Sequence, residues 1–284
     1  MSFQTKKVSN SKITVEKNEV IDIPAKGSDW ISEPYANIFL LAKKKSGKTT
    51  VIRNMLNHFA GKNTKFVFIV STINKDKTWI DIVKYWQDKG NDMLTYDDIY
   101  DGDNNVISEF IKNEKESTQK PEDTKTVITE TKILSQSGNG VRRYKIIEKE
   151  IPIENKTANK SQKLIYPEYI FVLDDLGSRM RDKAVTQFLK TNRHYKSKVI
   201  MSAQNITDLE PAAIAQIDYT LVFGRVPDDR IERLREILDL DIDKDDFLRL
   251  YKNATSEPFQ FLYIGRQANG DIFRKGFNDQ YITT

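Results

Sequence analysis

No cysteine occurs anywhere in the 284 residues. That excludes disulfides, thiolate zinc sites, cysteine-ligated iron–sulfur clusters and a cysteine nucleophile. Histidine is almost as scarce. His58 and His194 are the only two, so a three-histidine metal site is excluded as well. Long apolar runs are missing too: stretches such as Ile38–Ala42 fall far short of the ~18 residues that a membrane span needs. The opening Met1–Asn18 is polar and lacks the apolar stretch of a secretory signal. These shortages point to a reducing, intracellular compartment.

What is present supports a packed core. Hydrophobic residues make up 38% and aromatic ones 10%. At ~100–200 residues per domain, the chain holds one large domain or two small ones. The net charge is +4 and the pI near 8.9, compatible with a polyanionic partner without requiring one. The excess is local. Lys112–Lys163 carries twelve basic and eight acidic residues, so the rest of the chain is balanced.

Strand and helix patterns alternate along most of the chain. Residues 1–30 read as a polar arm with a short alternating piece at Val20–Ile23. Ala36–Leu41 and Phe66–Val70 are continuous apolar runs that suit parallel strands buried on both faces. Thr49–Phe59, with Val51, Met55, Leu56 and Phe59 on one face, and Trp79–Gln87 read as helices. Then comes the charged segment Lys112–Lys163. Within it Thr126–Leu134 and Val141–Glu148 partly alternate around Ser135–Gly140, a hairpin signature. It reads either as a solvated insertion or as a contact loop, with Arg142, Arg143 and Lys145 as candidate contacts.

The alternation resumes with strands Tyr169–Leu173, Val199–Ser202 and Tyr219–Phe223, and helices Lys183–Asn192, Leu209–Gln216 and Arg230–Leu240. Phe261–Ile264 and Asp271–Lys275 read as a final hairpin. The whole predicts an α/β fold with a mostly parallel central sheet flanked by helices, plus a β-hairpin insertion. Residues 31–284 are read as a single domain containing the insertion.

Ala42-Lys-Lys-Lys45-Ser46-Gly47-Lys48-Thr49-Thr50 matches the P-loop pattern except at its first position, where Ala42 replaces glycine. A strand enters and a helix leaves, as the motif requires. Backbone N–H groups and the helix dipole then face the phosphates of ATP. Gly47 lets the main chain approach, Lys48 reaches the β/γ-phosphates, and Thr49 ligates Mg²⁺. Ala42 is compatible only if its φ stays negative or the strain is tolerated. Lys43–Lys45 is either a solvated basic run or extra phosphate charge.

Tyr169-Ile-Phe-Val-Leu173-Asp174-Asp175 supplies the acidic strand end that a P-loop NTPase needs. Asp174 is assigned to Mg²⁺ and Asp175 to polarising the attacking water. Asp174-Asp-Leu-Gly177 also fits the D-x-x-G of GTPases, but no N-K-x-D motif follows it; Asn74-Lys-Asp-Lys77 precedes the strand and has its aspartate one place early. Lys198-Val-Ile-Met-Ser-Ala-Gln204 is a strand ending in polar residues. If it lies between the P-loop strand and the acidic strand, Gln204 sits near the γ-phosphate. Arg193 could reach a phosphate or lie on the surface.

With those three motifs in order, the sequence resembles the viral genome-packaging ATPases of the FtsK–HerA superfamily, as in poxviruses and virophages. The matching words are Leu41–Thr50, Ile170–Ser178 and Asn192-Arg-His-Tyr-Lys-Ser-Lys-Val-Ile-Met-Ser-Ala-Gln204. The resemblance covers about Pro34–Arg235 and leaves out Lys112–Lys163. It implies a sheet of the additional-strand, catalytic-acid type, ATP and Mg²⁺ as cofactors, and translocation of double-stranded DNA into a preformed capsid. It also implies a homo-oligomeric ring of five or six subunits, capsid vertex proteins as partners, and residence in the host cytoplasm, viral factory or virion. Lys48 and Thr49 carry over as Walker A residues, Asp174 and Asp175 as Walker B, and Gln204 as the sensor. Asp175 stands where related motors often use glutamate. For an arginine acting on the neighbouring subunit, Arg179, Arg181 and Arg225 are candidates, Arg225 being favoured because a strand end presents it rigidly. The alternative function is a nucleotide-regulated assembly or switch protein without processive motion.

Overall fold

The computed structural model describes residues 23–119, 127–136, 142–149, 164–267 and 270–282. In chain order, β1 (Asn37–Leu41) leads into α1 (Lys48–Phe59), and β2 (Lys65–Val70) into α2 (Lys77–Asp88) and β3 (Met93–Tyr96). A two-residue ribbon, β4 (Tyr100–Asp101) with β5 (Asn104–Asn105), precedes α3 (Val106–Gln119). β6 (Val127–Gln136) and β7 (Arg142–Lys149) follow. Then come β8 (Tyr169–Asp174), α4 (Lys183–Thr191), β9 (Ser197–Ala203), α5 (Pro211–Ile214), β10 (Tyr219–Phe223), α6 (Asp228–Ile237) and α7 (Lys244–Ala254). β11 (Phe261–Gln267), β12 (Gly270–Lys275) and β13 (Asp279–Gln280) complete the order.

Nine strands form one sheet in the order β13-β12-β11-β10-β1-β9-β8-β2-β3. From β10 to β3 all pairs are parallel; β11, β12 and β13 add an antiparallel edge. The expected α/β class with a mostly parallel sheet is what forms. β9 pairs with β1 on one side and β8 on the other, so the strand order inserts β9 between the P-loop strand and the acidic strand.

The continuous apolar runs are explained by the two-residue period of a strand. Alternate side chains of each strand enter different cores. Ile38, Leu40, Phe66, Phe68, Ile170, Val172 and Ile200 face α1 and α2 with Ile52, Met55, Phe59, Trp79 and Trp86. Phe39, Leu41, Val67, Phe171, Leu173, Val199 and Met201 face the opposite layer with Ile107, Val185, Phe188, Leu234 and Phe247 from α3, α4, α6 and α7. A strand with apolar residues on one face only would not fit between two helical layers.

Most sequence-predicted elements form with ends shifted by a residue or two. Six others were not anticipated: the two-residue strands β4, β5 and β13, and the longer β3, α3 and α7. β3 is short and half exposed, so its pattern is weak. α3 runs from Val106 through the predicted start of the insertion, and Ile107, Phe110 and Ile111 anchor it on the core. The ring of Phe110 meets Phe171 at 4.8 Å and Tyr169 at 5.0 Å. Lys112–Gln119 is therefore helical rather than looped. α7 begins among aspartates, which masks Phe247, Tyr251 and Ala254 on its inner face.

The predicted hairpin forms: β6 and β7 pair antiparallel, with register shifts between Ile128 and Glu130 and between Ile133 and Ser135. Such bulges re-aim a strand and explain why its alternation is only partial. Arg142, Arg143 and Lys145 lie on β7. Val20–Asp22, most of the first predicted strand, lies outside the described residues. The stretch just after it packs on the domain. Trp30 is stacked between His58 at 4.0 Å and Phe277 at 4.1 Å, and Tyr263 donates its hydroxyl to the Trp30 carbonyl at 3.0 Å.

Candidate nucleotide site

Parallel strands end on the same edge, and loops from that edge share one surface. The carboxyl ends of β1, β8 and β9 bring Lys48, Asp174, Asp175 and Gln204 together. Each arrives by a local rule. β1 delivers Ala42, whose N–H bonds the Ala203 carbonyl at 3.0 Å and continues the ladder one residue past the strand. Ala42 is 1% exposed and is not among the residues with positive φ. The missing glycine therefore costs no backbone strain.

Two later loop residues do take the left-handed conformation, Lys45 at φ 62° and Gly47 at φ 88°. Gly47 is the N-cap of α1 and supplies no side chain to the first turn. In α2, α4 and α7 an aspartate caps that turn: Asp76, Asp182 and Asp243 each accept a backbone N–H at 2.8 Å. The first turn of α1 has no acidic residue either. Its N–H groups and its positive dipole end stay available to an anion.

Lys48 sits at the centre. Its ammonium is 2.8 Å from Asp174 Oδ1 and 2.8 Å from Asp175 Oδ1, and it approaches Ser202 Oγ at 3.4 Å. Asp174 is 1% exposed and fully engaged. Ser202 donates its hydroxyl to Oδ1, and Trp79 Nε1 donates to Oδ2 at 3.1 Å. Asp175 is more open and takes a left-handed φ of 54°. That turn sets Asp175 in the wall of the neighbouring cavity while its Oδ1 still meets Lys48.

A cavity of about 430 Å³ opens beside this cluster. Its wall includes Asp175, Gln204 and Lys44, and also Ser71 and Thr72 from the end of β2. Gln204 is exposed there. A second recess of about 210 Å³ lies on the other flank of the P-loop, between Lys45 and Ser46 and the segment 255–260, with Arg225 in its wall.

The sequence-predicted residues thus separate clearly. Lys48, Asp174, Asp175 and Gln204 converge. Thr49 and Thr50 open α1, where Thr50 is exposed and Thr49 half-buried. The basic run is split: Lys44 lines the larger cavity and Lys45 the smaller. Arg225 lies by its own chain's P-loop. Arg181 donates to the Thr207 carbonyl at 3.0 Å, and Arg179 is paired with Asp98 at 3.2 Å.

Arg193 does not reach this edge. It precedes β9 at the opposite end of the sheet, roughly 20 Å away along a seven-residue strand, and is bound to Asp218 at 2.9 Å. His194 sits beside it, exposed.

Trp79, Ser202, Ser71 and Thr72 were not anticipated. Ser202 was legible as a polar residue inside an apolar strand; Trp79 was read only as part of a helix. The donor set suits a hard cation: one carboxylate, Asp174, and one hydroxyl, Thr49, with phosphate oxygens to complete the shell. No cluster of three or more His, Asp or Glu that could hold a metal alone occurs among the described residues.

A family model, the poxvirus A32 protein family, matches residues 111–264. The chain belongs to this family. The match takes in the acidic strand, Gln204, Arg225 and the following elements to β11, and it starts after the P-loop. It also runs through Lys112–Lys163, which the motif-based resemblance had left outside. Among solved structures, the genome packaging NTPase B204 of Sulfolobus turreted icosahedral virus 2 is similar. With AMPPCP it gives a TM-score of 0.49 at 14% identity, covering 86% of this chain and 99% of that one. With ATP-gammaS the values are 0.48 and 15%, with the same coverage. B204 of Sulfolobus turreted icosahedral virus, described as a DNA-packaging ATPase, gives 0.48 and 15%, covering 86% of this chain and 98% of that one. A search among curated protein sequences returns no match. No helix of this A32-family chain is long and apolar enough to cross a membrane among the described residues.

Proposed function

We propose that this A32-family chain is a genome-packaging ATPase that hydrolyses ATP to ADP and phosphate and couples hydrolysis to movement of double-stranded DNA. One arrangement carries the reading. β9 stands between β1 and β8, so a polar strand end, Ser202 to Gln204, faces the P-loop lysine and two carboxylates.

The residues divide the work. The first turn of α1 and Lys48 bind the triphosphate. Thr49 and Asp174 would hold Mg²⁺, which would supply positive charge against the triphosphate. Trp79 and Ser202 fix the Asp174 carboxylate so that it presents one orientation to that ion. Asp175 accepts a proton from the attacking water, and Gln204 bonds water and γ-phosphate across the cavity. Lys48 must leave its carboxylate partners to follow the phosphates, which frees Asp175 to act as base. Processive movement implies a homo-oligomeric ring whose subunits fire in turn, with DNA held through phosphates and therefore in a salt-sensitive, sequence-independent way. Residues 31–284 act as one ATPase domain, 1–30 as an arm, and the capsid vertex is the docking partner.

The test is ATP turnover by purified protein with and without duplex DNA. ATP should be preferred to GTP, DNA should stimulate, and Lys48→Ala should abolish turnover. Turnover that ignores DNA removes the translocase reading; turnover that survives Lys48→Ala removes the P-loop reading.

A further inference from the structure

Phe259 is an anomaly by every local criterion. It is 69% exposed, the most exposed phenylalanine among the large hydrophobic residues at the described surface. It holds φ 67°, which is uncommon for any non-glycine residue and an outlier for a bulky one. Burial does not explain it, because the ring buries little. Strained residues persist where surrounding structure over-determines them, and they cluster at ligand sites. Of six such non-glycine residues among those described, four line the nucleotide edge: Lys45, Asp175, Arg225 and Phe259.

The ring has a defined neighbour. A Cβ placed on Gly47 would lie 3.0 Å from Phe259 Cδ1, so the aromatic edge rests directly over the P-loop glycine. Phe259 forms one wall of the 210 Å³ recess with Lys45, Ser46, Arg225, Glu257 and Gln260. Ser46 lines the recess too, and its Oγ, just beneath the surface, is buried without any hydrogen-bond partner. Such an orphan costs free energy unless a ligand satisfies it. The recess is too small for a whole nucleotide, since drug-sized ligands take roughly 300–1,000 Å³. It is the size of a fragment, and it adjoins the loop that binds phosphate.

We propose that Phe259 is the stacking platform for the purine base of the bound nucleotide, which lies in the recess bounded by Ser46, Arg225 and Gln260. This rests on the P-loop reading and goes beyond it by naming where the base sits and what holds it. The P-loop then works with two hands. Lys44 faces the cavity of Asp175 and Gln204, where phosphate is cleaved; Lys45 faces the recess where the base is held. Phe259 touches the base and not the reacting atoms, so it sets affinity and base preference and leaves the chemical step alone.

The experiment compares two substrates, ATP and inorganic triphosphate, the second of which has no base. Binding and hydrolysis of each are measured for the full chain, Phe259→Ala, Phe259→Trp and Lys48→Ala. Base–aromatic stacking is worth about 5- to 150-fold in affinity. Phe259→Ala should weaken ATP binding and raise KM by that factor with kcat little changed, while triphosphate is unaffected. Phe259→Trp should restore ATP binding. Lys48→Ala should abolish both substrates; if it does not, the P-loop reading fails instead. Because Phe259 is exposed and strained, Phe259→Gly should melt no lower than the parent while binding ATP as weakly as Phe259→Ala. Equal loss of ATP and triphosphate in Phe259→Ala overturns the proposal. So does unchanged ATP affinity, and a changed oligomeric state beside it would make Phe259 a subunit contact.

Discussion

Removing the Lys48 ammonium should do more than stop turnover. It should also weaken the folded protein, because that charge holds two carboxylates together at a strand end. The two arms are unequal. The Asp174 side chain is 2% exposed and the Lys48 side chain 13%, whereas Asp175 is 30% exposed. Deleting one member of a buried pair costs about 3–5 kcal/mol, because the other charge stays buried without compensation. An exposed arm such as Asp175 contributes only about 0–1 kcal/mol. Asp174 keeps two donors, Trp79 Nε1 and Ser202 Oγ, so the lower end applies and the total is about 3 kcal/mol. For a domain of this size that lowers Tm by roughly 6–12 °C.

The assay is thermal unfolding of the parent, Lys48→Ala, Asp174→Asn and the double variant at fixed pH and low salt. The double variant removes the uncompensated charge as well as the lysine. It should therefore be more stable than the sum of the single effects predicts, with a coupling of about 1–3 kcal/mol. A Lys48→Ala protein that melts within about 2 °C of the parent refutes the reasoning, since that is under 1 kcal/mol. Strict additivity in the double variant refutes it independently.

Asp175→Asn should lower kcat by about 10²–10⁴ while ATP affinity holds, since a general base acts in the chemical step. Single-turnover and equilibrium binding measurements separate the two, and an equal loss of binding would make Asp175 a ligand-holding group instead. Trp79→Phe removes the donor on Asp174 Oδ2 and should raise the Mg²⁺ concentration for half-maximal turnover by about 10–100-fold, the usual effect of losing an outer partner of a metal ligand. Ala42→Gly should leave turnover unchanged and cost about 0.5–1 kcal/mol of stability, because Ala42 already has an ordinary φ; a gain in turnover would mean that alanine strains the loop. Lys198 is fully buried, with its ammonium 2.8 Å from the Glu33 carbonyl and over the Phe59 ring at 4.2 Å, and burial pushes it down to about 7. Its folded value lies below its unfolded one, so the unfolded chain binds more protons between about pH 7 and 10.5, and stability rises with pH across that window. Lys198→Met should stabilise by about 1–4 kcal/mol at pH 7, with the gain shrinking towards pH 10. Denaturant unfolding at both pH values checks this, and a gain independent of pH would refute it.

The sequence carried the parallel sheet because its strands are buried on both faces. Phe66-Val-Phe-Ile-Val70 is apolar throughout for that reason, and β8 and β9 repeat the pattern. Strand order is a different kind of information. Nothing in residues 197–203 says that they run beside residues 37–41, yet that pairing gives Gln204 its position. Motif reasoning reached it only through the chemistry a phosphate site needs. Elements that bury one face weakly, such as β3, were invisible because half-exposed residues leave no periodic signal.

The carboxylate pair shows the same limit from the other side. Asp174 and Asp175 are neighbours in sequence, and sequence assigns them different roles only by analogy. The fold separates them by physics. The last strand residue is buried under α2 and clamped by Trp79 and Ser202, while the next takes a left-handed turn beside a cavity. A buried, fully bonded carboxylate has one orientation and suits a fixed ligand. A half-exposed one at a strained turn keeps free lone pairs and suits proton transfer. Phe259 was missed altogether because no motif announces it: it lies in a loop of small and polar residues, far in sequence from the loop it touches. Its signal is conformational, an exposed ring at a positive φ. The proposed phosphate half of the site is argued from residue order, whereas the proposed base half exists only once β10 and the segment before β11 are folded against β1.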